Sequence, residues 1–375
     1  MRVLHFYKSY YPDSFGGAET AINDIARSTA EHGVESEVLS LSRAPAQNTV
    51  LVDGHWARKA HLDFELASTG FSLSVLGEFA RLAQGIDIIH YHFPWPLMDV
   101  AHFLARTRKA TVVTYHSDIV RQRRLLALYK PLMYKFLNSV DHIVATSPNY
   151  LQSSEVLQRY SEKVSVIPIC VRPVSVTSTL DAAANIWRQR LGGRFFLFLG
   201  ALRYYKGLPF LIEAAARTGY PIAIAGDGEM SSYLAREVQR RGLDNVHLLG
   251  EQSQDEKFAL LEACYAFVFP SHLRSEAFGV ALLEAAEFGR PLISCEIGTG
   301  TSYVNIDGET GRVVPPANSQ AVAAAMTELW EDKEMAANMG IRARQRYHRH
   351  FTVEVAGASY ASLYRRLLLD RAERD

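Results

Sequence analysis

Along this chain, short runs of β-branched and aromatic residues alternate with longer amphipathic segments. Each short run is too brief to be a helix, and the alternation is typical of βαβ units, in which helices cover both faces of a parallel sheet. In the first half, the pattern predicts strands at 2–8, 37–41, 86–90, 111–115, 142–146 and 164–167. The first half is therefore expected to fold as an α/β domain.

The same rhythm begins again in the second half of the chain. Here the predicted strands are 194–200, 221–226, 245–250, 266–270, 291–295 and 311–315. Residues 168–188 contain Pro, Ser and Thr without a sustained period, which predicts a linker. We expect two doubly wound α/β domains, at 1–172 and 173–348, followed by a helix within 349–375 whose apolar stripe holds Tyr360, Leu363 and Leu367.

Composition and charge exclude several classes of protein. The 375 residues are 48% hydrophobic and carry 40 basic against 40 acidic residues, whereas polyanion-binding domains usually have a basic excess, so we expect no nucleic-acid partner. Cys170, Cys264 and Cys295 are widely spaced, which supports neither a disulfide framework nor a zinc knuckle. No apolar run approaches the roughly 18 residues of a membrane span. The expected location is the cytoplasm.

The first domain offers a glycine pair near its first strand. Gly16 and Gly17 lie in a loop that opens a helix near Ala18, where backbone N–H groups and the helix dipole favour an anion. A plain flexible turn is the alternative. The pair lacks the GxGxxG spacing of a dinucleotide fingerprint, so a dehydrogenase is disfavoured.

Histidines follow two strands of the first domain. His116 and Asp118 come directly after a predicted strand, at the edge where open α/β sheets bind ligands. His90 and His92 are two residues apart, as in some metal sites, but no third ligand is visible in the sequence. We expect no metal and assign His90, His92 and Asp118 to the acceptor side. Structural histidines with satisfied hydrogen bonds are the alternative.

The second domain carries paired cations and paired carboxylates. Arg203 and Lys206 follow its first strand, where two positive charges suit a diphosphate. Glu276 precedes a helix and Glu284 lies on its second turn, so the two carboxylates can reach different parts of one extended ligand. Carboxylates are good acceptors for the vicinal hydroxyls of ribose and hexoses.

The segments GGAE, HSD, KGL, AGDGE, SEAFGVALLE and TGTSYVNIDGETGRVVPP occur in this order at strand ends. With them the chain resembles glycosyltransferase family 4, whose Glu-x7-Glu motif corresponds to Glu276 and Glu284. The resemblance covers almost the whole chain. It implies the GT-B fold, in which two Rossmann-like domains face each other across a cleft and the C-terminal helix crosses back to the N-terminal domain.

The resemblance also implies a role for each matching residue. Glu284 would hold the donor ribose, Glu276 and His116 would face the transferred sugar, and Arg203 and Lys206 would neutralise the diphosphate. The implied catalytic residues are His116, Glu276, Arg203 and Lys206. The implied donor-binding residues are Gly16, Gly17, Arg203, Lys206, Gly228, Phe278, Gly279, Val280 and Glu284.

Two positions depart from the family pattern. Many relatives have arginine where this chain has Ala201, and here Arg203 takes the role from a position two residues later. The segment IPICV lacks the Asn-Gly of the common IPNGV pattern, which affects the acceptor side.

The resemblance implies a hexosyltransferase that retains the anomeric configuration, and the residues themselves predict that it needs no metal. Fixed cations and N–H groups can stabilise the diphosphate leaving group, and the nearest acidic cluster, with Asp63 and Glu65, is no DxD motif. The resemblance to bacterial mannosyl- and rhamnosyltransferases of surface polysaccharide assembly favours a GDP-mannose type of donor, with no further cofactor. A UDP-sugar donor, a nucleotide-sugar 2-epimerase and a non-catalytic binding subunit are the alternatives.

Residues 121–138 form a basic amphipathic segment with five basic residues and no acidic one. Such segments lie on anionic membrane surfaces in peripheral proteins, and an ordinary exposed helix is the alternative. A lipid-linked glycan acceptor would suit a membrane contact.

Overall fold

The computed structural model of the chain describes residues 1–45, 49–66, 69–119, 123–175 and 177–373. Backbone contacts divide it into two compact units. The first comprises Met1–Cys170 and Val353–Asp375, and the second comprises Val171–Thr352.

The first unit is built on an eight-stranded sheet in the order β10-β9-β8-β7-β1-β2-β4-β3. All neighbours are parallel except β3, which runs antiparallel to β4 at the edge. β5 and β6 form a separate antiparallel hairpin. The strands are β1 Arg2–Phe6, β2 Glu35–Ser42, β3 Thr49–Val52, β4 His55–His61, β5 Phe64–Leu66, β6 Thr69–Phe71, β7 Ile88–Phe93, β8 Ala110–Tyr115, β9 His142–Ala145 and β10 Val164–Val166.

The helices of the first unit follow the strands in βαβ fashion. They are α1 Gly17–Ala30, α2 Ser74–Gln84, α3 Pro96–Ala105, α4 Arg123–Ser139, α5 Pro148–Ser153 and α6 Glu155–Arg159. The central strands β7 and β8 are buried along their whole length, as expected of a parallel sheet covered on both faces.

The second unit has a six-stranded, all-parallel sheet in the order β13-β12-β11-β14-β15-β16. The strands are β11 Phe196–Leu199, β12 Ile222–Ala225, β13 Val246–Gly250, β14 Ala266–Phe269, β15 Leu292–Cys295 and β16 Gly311–Val314. The helices are α7 Ser178–Arg190, α8 Leu208–Thr218, α9 Ser231–Arg241, α10 Gln254–Ala263, α11 Val280–Glu287, α12 Thr301–Val304, α13 Ser319–Glu331 and α14 Lys333–His350.

The last helix, α15 Val353–Ala372, packs in the core of the first unit. Its predicted stripe of Tyr360, Leu363 and Leu367 is buried, which confirms the amphipathic pattern. It lies against α1 so closely that a Cβ atom on Gly357 would come within 2.7 Å of Ser28 Cβ. The glycine therefore sets how near the two helices approach.

The α/β fold class is confirmed, and every strand that the pattern predicts is present with ends shifted by at most three residues. The linker prediction for 168–188 was wrong in its second half, where α7 begins. Thr177 caps this helix by accepting from Leu180 N–H, and Ala184 and Trp187 are buried on its inner face. Trp187 also donates its indole N–H to Glu256 Oε2 on α10 at 2.5 Å, so a single buried stripe docks the helix.

No helix within the described ranges is both long enough and apolar enough to cross a bilayer.

Candidate active site

In the second unit, the loops that follow β11 and β14 meet at one edge of the sheet, because these two strands are neighbours. The first loop carries Lys206 and the second carries Glu276. Lys206 Nζ lies 2.5 Å from Glu276 Oε2, and the two side chains are only 12% and 11% exposed. Ser271 Oγ donates to the same carboxylate oxygen at 3.3 Å. The Lys206–Glu276 ion pair is therefore largely buried, and it lies at the position for which the sequence predicted a sugar and diphosphate site.

A glycine allows these two loops to touch. Gly207 directly follows Lys206, has a φ of 71°, and would bring a Cβ atom within 1.9 Å of Pro270 O. No other residue fits that contact, because both the backbone angle and the space exclude a side chain. The KG pair is thus part of the geometry that brings Lys206 to Glu276.

Glu284 lies on the second turn of α11 and has a lysine partner of its own. Lys257 Nζ on α10 lies 2.8 Å from Glu284 Oε1, and both side chains are less than one-fifth exposed. The sequence analysis missed Lys257, since a lone lysine on a charged helix carries no local signal. The two predicted glutamates therefore have the same arrangement, in which a partly buried carboxylate is held by one ammonium group.

The segment between the glutamates forms the start of α11. Phe278 is buried, Gly279 is the residue before the helix, and Val280 is its first residue. Backbone N–H groups of a first helical turn have no partner within the helix and favour an anion. These three predicted residues thus contribute backbone and packing rather than charge.

Gly228 and Arg203 lie in the neighbouring loops of the same edge. A Cβ atom on Gly228 would come within 2.7 Å of Leu202 O, so the glycine lets the loops after β11 and β12 pack backbone to backbone. Arg203 is exposed, and its side chain makes no ion pair with the residues that the structure describes. Its guanidinium group can therefore turn toward a ligand without breaking an existing contact.

In the first unit, Gly16 and Gly17 differ in their surroundings. A Cβ atom on Gly16 would meet the Glu19 carboxylate at 2.5 Å, whereas nothing lies within 4 Å of one on Gly17. The buried Glu19 carboxylate accepts from Ser9 and Ser14 hydroxyls at 2.8 and 2.7 Å. Of the two glycines, only Gly17 leaves open space beside the start of α1.

Histidines on β1 and β7, together with His116 directly after β8, lie side by side in the first unit. His92 Nδ1 lies 3.0 Å from His116 Nε2, and its other nitrogen lies 3.1 Å from His5 Nδ1. His90 instead bonds two hydroxyls, those of Tyr364 and Thr114, each at 2.7 Å. Sequence analysis missed His5, because only the order of the strands shows that β1 lies next to β7.

The predicted acceptor-side residues are mostly enclosed. His90 and His92 have no exposed surface, so the prediction that they line an acceptor site does not agree with their burial. The alternative of structural histidines describes His90, whose two nitrogens are both bonded. Asp118 is half-buried and accepts from Tyr115 and Ser154 hydroxyls at 2.9 and 2.7 Å, which holds it in place beside His116.

His5 supplies the third imidazole beside His90 and His92 that was not visible in the sequence. One nitrogen from each of His5, His90 and His92 can be chosen so that all lie within 4.8 Å of one another. A metal ion there would have to displace hydrogen bonds that these histidines already make. Burial lowers the pKa of all three, that of His5 to about 3, so the neutral forms dominate near pH 7.

Comparison with known proteins assigns the family. Residues 15–173 match the model of Glycosyltransferase Family 4, and residues 181–346 match that of Glycosyl transferases group 1. The chain is 51% identical to D-rhamnosyltransferase WbpZ of Pseudomonas aeruginosa, over 94% of this chain and 92% of the relative. The chain belongs to glycosyltransferase family 4. The resemblance drawn from the sequence motifs is thereby confirmed, and the protein is a glycosyltransferase.

Two further comparisons extend this result. The glycosyltransferase is 47% identical to O-antigen chain mannosyltransferase C of Escherichia coli, over 98% of this chain and 99% of the relative. Its fold is similar to that of HepE from Anabaena, solved in complex with UDP, with a TM-score of 0.77 at 20% identity over 97% and 99% of the two chains. At that identity the likeness shows the fold alone, which is the expected GT-B fold.

Proposed function

We propose that this glycosyltransferase moves a mannosyl or 6-deoxymannosyl unit from a GDP-sugar onto a glycan or lipid-linked glycan during surface polysaccharide assembly. The reaction retains the anomeric configuration and needs no metal ion. The observation that carries the proposal is that the chain is 51% and 47% identical, over 94% and 98% of its length, to two relatives named for rhamnosyl and mannosyl transfer. D-Rhamnose is 6-deoxymannose, so the two sugars share the configuration at C2, C3 and C4.

The cluster in the second unit supports this chemistry. We assign Glu284 to the ribose hydroxyls and Glu276 to hydroxyls of the transferred sugar, since a carboxylate accepts from vicinal hydroxyls. Lys206, Arg203 and the first N–H groups of α11 would face the diphosphate. These positive groups would stabilise the negative charge that develops on the diphosphate as the glycosyl–phosphate bond breaks, which in metal-dependent transferases is the role of a bound metal ion.

Retention follows if the acceptor attacks C1 from the side that the diphosphate leaves. In that step the C1–O bond to phosphate breaks and a bond from C1 to the acceptor oxygen forms. The acceptor proton passes to the departing phosphate oxygen. His116 and the backbone N–H of Gly17 would hold the sugar and phosphate oxygens during this exchange.

We also propose that α4 contacts an anionic membrane surface. The helix is docked on one side by Met133, Phe136 and Leu137, while Leu125 and Leu128 are 49% and 81% exposed beside the exposed Lys130. Exposed leucines among basic residues suit the interface of an anionic bilayer. Arg121 lies outside the described residues, as do the side chains of Arg123 and Arg124.

The transfer reaction itself tests the function. Purified enzyme is incubated with radiolabelled GDP-mannose in excess EDTA, with and without a mannose-containing lipid-linked acceptor. We expect label in the acceptor, an α-linkage by NMR matching the α-configured donor, and an unchanged sugar nucleotide when acceptor is omitted. Conversion of the sugar nucleotide without acceptor would identify an epimerase, and activity that depends on added magnesium or manganese would refute the metal-independent mechanism.

A further inference from the structure

Three imidazoles in the first unit form one hydrogen-bonded chain that ends at His116. His5 Nδ1 on β1 lies 3.1 Å from His92 Nε2 on β7, and His92 Nδ1 lies 3.0 Å from His116 Nε2 after β8. His5 and His92 are completely buried, while His116 is partly exposed. We call these three residues the imidazole relay.

Each ring of the imidazole relay carries one proton near neutral pH. Burial lowers the pKa of His5 to about 3 and that of His116 to about 4, and it also lowers the pKa of His92. A neutral imidazole has one N–H donor and one acceptor nitrogen. Both hydrogen bonds of the relay must therefore point in the same direction, either toward His116 or away from it.

The buried end of the relay selects the direction. His5 Nε2 is buried and has no hydrogen-bond partner in the described part of the chain. If the bonds pointed away from His116, this atom would be an unpaired N–H, which is rarer in protein interiors than an unpaired acceptor. The favoured arrangement has His5 donating from Nδ1 to His92, and His92 donating from Nδ1 to His116 Nε2. His116 must then carry its own proton on Nδ1.

We propose that the imidazole relay fixes His116 as the Nδ1–H tautomer, so that it presents a hydrogen-bond donor to a sugar or phosphate oxygen of the donor substrate. His5 and His92 are positioning residues that act through His116. Nδ1 of His116 has no partner within the described ranges and remains available for this bond. The inference rests on the proposed function in placing His116 beside the transferred sugar.

The neighbouring His90 is a contrast to the imidazole relay, because its hydrogen-bond partners do not fix its tautomer. His90 bonds only hydroxyls, from Tyr364 and Thr114. A hydroxyl can rotate to donate or accept, so it accommodates either tautomer of His90. An imidazole cannot change its role without moving a proton, so a change at His5 is passed through His92 to His116.

Nitrogen NMR of the full chain with ¹⁵N-labelled histidine tests the proposal without any substrate. Two-bond proton–nitrogen correlations distinguish the tautomers, and the signals are assigned with His5→Asn, His92→Gln and His116→Gln variants. We expect the Nδ1–H form at His116, although free histidine prefers Nε2–H. An Nε2–H form at His116 in the unaltered protein would overturn the proposal, whether or not any variant folds.

Paired variants test the direction of the relay. His5→Leu removes the first donor and should return His116 to the Nε2–H form. Turnover at saturating donor should fall about 10- to 100-fold, the range seen when outer partners of functional histidines are lost, with little change in KM. His5→Asn can place an amide N–H near the former Nδ1 and should restore both the tautomer and the rate. An unchanged His116 tautomer in folded His5→Leu would contradict the proposal.

Tyr364→Phe is the matched control, because it removes a hydroxyl from His90 in the same core and leaves the relay intact. It should change neither the His116 tautomer nor the turnover, and a loss equal to that of His5→Leu would indicate a general packing effect and refute the relay. The role of His116 in transfer is tested separately from its tautomer. If the His116→Gln variant transferred sugar at the normal rate, His116 would not be a residue of the active site, while the NMR result would still decide which tautomer it adopts.

Discussion

Among single residues, Glu276 and Glu284 each have a lysine ammonium partner of their own, but they differ in their other contacts. Glu276 is held by Lys206 and by the Ser271 hydroxyl, whereas Lys257 is the one side chain of the described residues that bonds Glu284. We expect Glu276→Gln to lower turnover about 100- to 1000-fold while leaving the affinity for free GDP nearly unchanged, as for loss of one preorganised transition-state contact. Stopped assays at saturating donor and calorimetry with GDP measure the two quantities.

The matched variant is Glu284→Gln, which should show the opposite effect. Loss of a charged acceptor for the ribose hydroxyls should weaken binding of free GDP by about 1.5 to 3 kcal/mol, because the contact exists in substrate and product alike. Circular dichroism and melting first establish that both variants are folded. Equal losses of affinity in the two variants would show that the assigned division of roles is wrong.

Glu287, one turn beyond Glu284 on α11, gives a prediction about stability. Burial raises the pKa of this carboxyl to about 7, against hydrogen bonding from the Val174 N–H, which lowers it. Between an unfolded pKa near 4.3 and about 7 the native state binds more protons than the unfolded state, so stability falls as pH rises through this window. The loss approaches about 1.4 kcal/mol for each pH unit.

Glu287→Gln keeps an acceptor for Val174 and removes the buried charge. The variant should melt at a higher temperature than the parent at pH 8, and the difference should be much smaller at pH 5, where the native Glu287 carboxyl is protonated and only the first part of the pH-dependent loss has occurred. Calorimetry of the second-unit transition at the two pH values tests this. A difference in melting temperature that is equal at both values would contradict the raised pKa.

The candidate site residues could be recognised in the sequence, but the side chains that they contact could not. Glu276, Glu284 and Lys206 stand out because they recur at strand ends in a recognisable order. Lys257 and His5 do not, since their roles depend on which strands and helices are neighbours. The same limit explains His90 and His92, which the sequence analysis assigned to the acceptor side although the sheet buries both.

At the scale of elements, the neighbouring strands β1 and β7 of the first unit carry three completely buried histidines, His5, His90 and His92. Burial is the main cause that lowers the pKa of these three side chains and of four more histidines of the first unit, which are His55 on β4, His102 on α3, His116 after β8 and His142 on β9. Below about pH 6.5 the unfolded chain binds protons that the native unit excludes, so stability is lost as pH falls.

Acid should therefore loosen the first unit before the second. Each neutral buried histidine contributes up to about 1.4 kcal/mol per pH unit between 6.5 and its native pKa. Hydrogen exchange followed by mass spectrometry, corrected for intrinsic rates, should show larger losses of protection in β1, β7 and β8 than in β11, β12 and β14 between pH 7 and 5.5. Equal losses in both sheets would argue against the histidine effect.

Helix α4 gives a second prediction at this scale. Replacing Arg121, Arg123 and Arg124 with Gln should weaken binding to vesicles containing phosphatidylglycerol, because each charge near such a surface contributes about 1 kcal/mol. Sedimentation with the vesicles measures binding, and neutral phosphatidylcholine vesicles are the control. If parent and variant sediment equally with anionic vesicles, the segment is an ordinary exposed helix.

The elements that the hydrophobic pattern missed have a common physical reason. β3 is the edge strand of the first sheet, β4 lies next to it, and β5 and β6 form a separate hairpin. The β4 sequence HWARKAH has no continuous apolar run, because it alternates exposed and buried positions and buries Lys59 in an ion pair with Asp13. α7 was mistaken for linker because its apolar positions are sparse, although Thr177 and the following Ser-Thr-Leu-Asp form an N-terminal cap signal. Buried central strands were predicted well because burial on both faces leaves continuous apolar runs.

For the whole molecule, we propose a single donor chemistry, that of GDP-linked mannose-type sugars. Relatives at 51% and 47% identity support mannose-type sugars, whereas the UDP-bound HepE at 20% identity shares the fold alone. The base and the sugar are therefore what a direct experiment must decide.

The most direct measurement is a competition in one reaction vessel. Equal concentrations of GDP-mannose and UDP-glucose, each with a different radiolabel, are given to the enzyme with a mannose-containing lipid-linked acceptor, and the acceptor is isolated during the initial rate. We expect at least about 100-fold more mannose label than glucose label in the acceptor, because a site built to pair with one base leaves buried polar groups unpaired with the other. Transfer of glucose at an equal or higher rate would contradict the proposed donor chemistry.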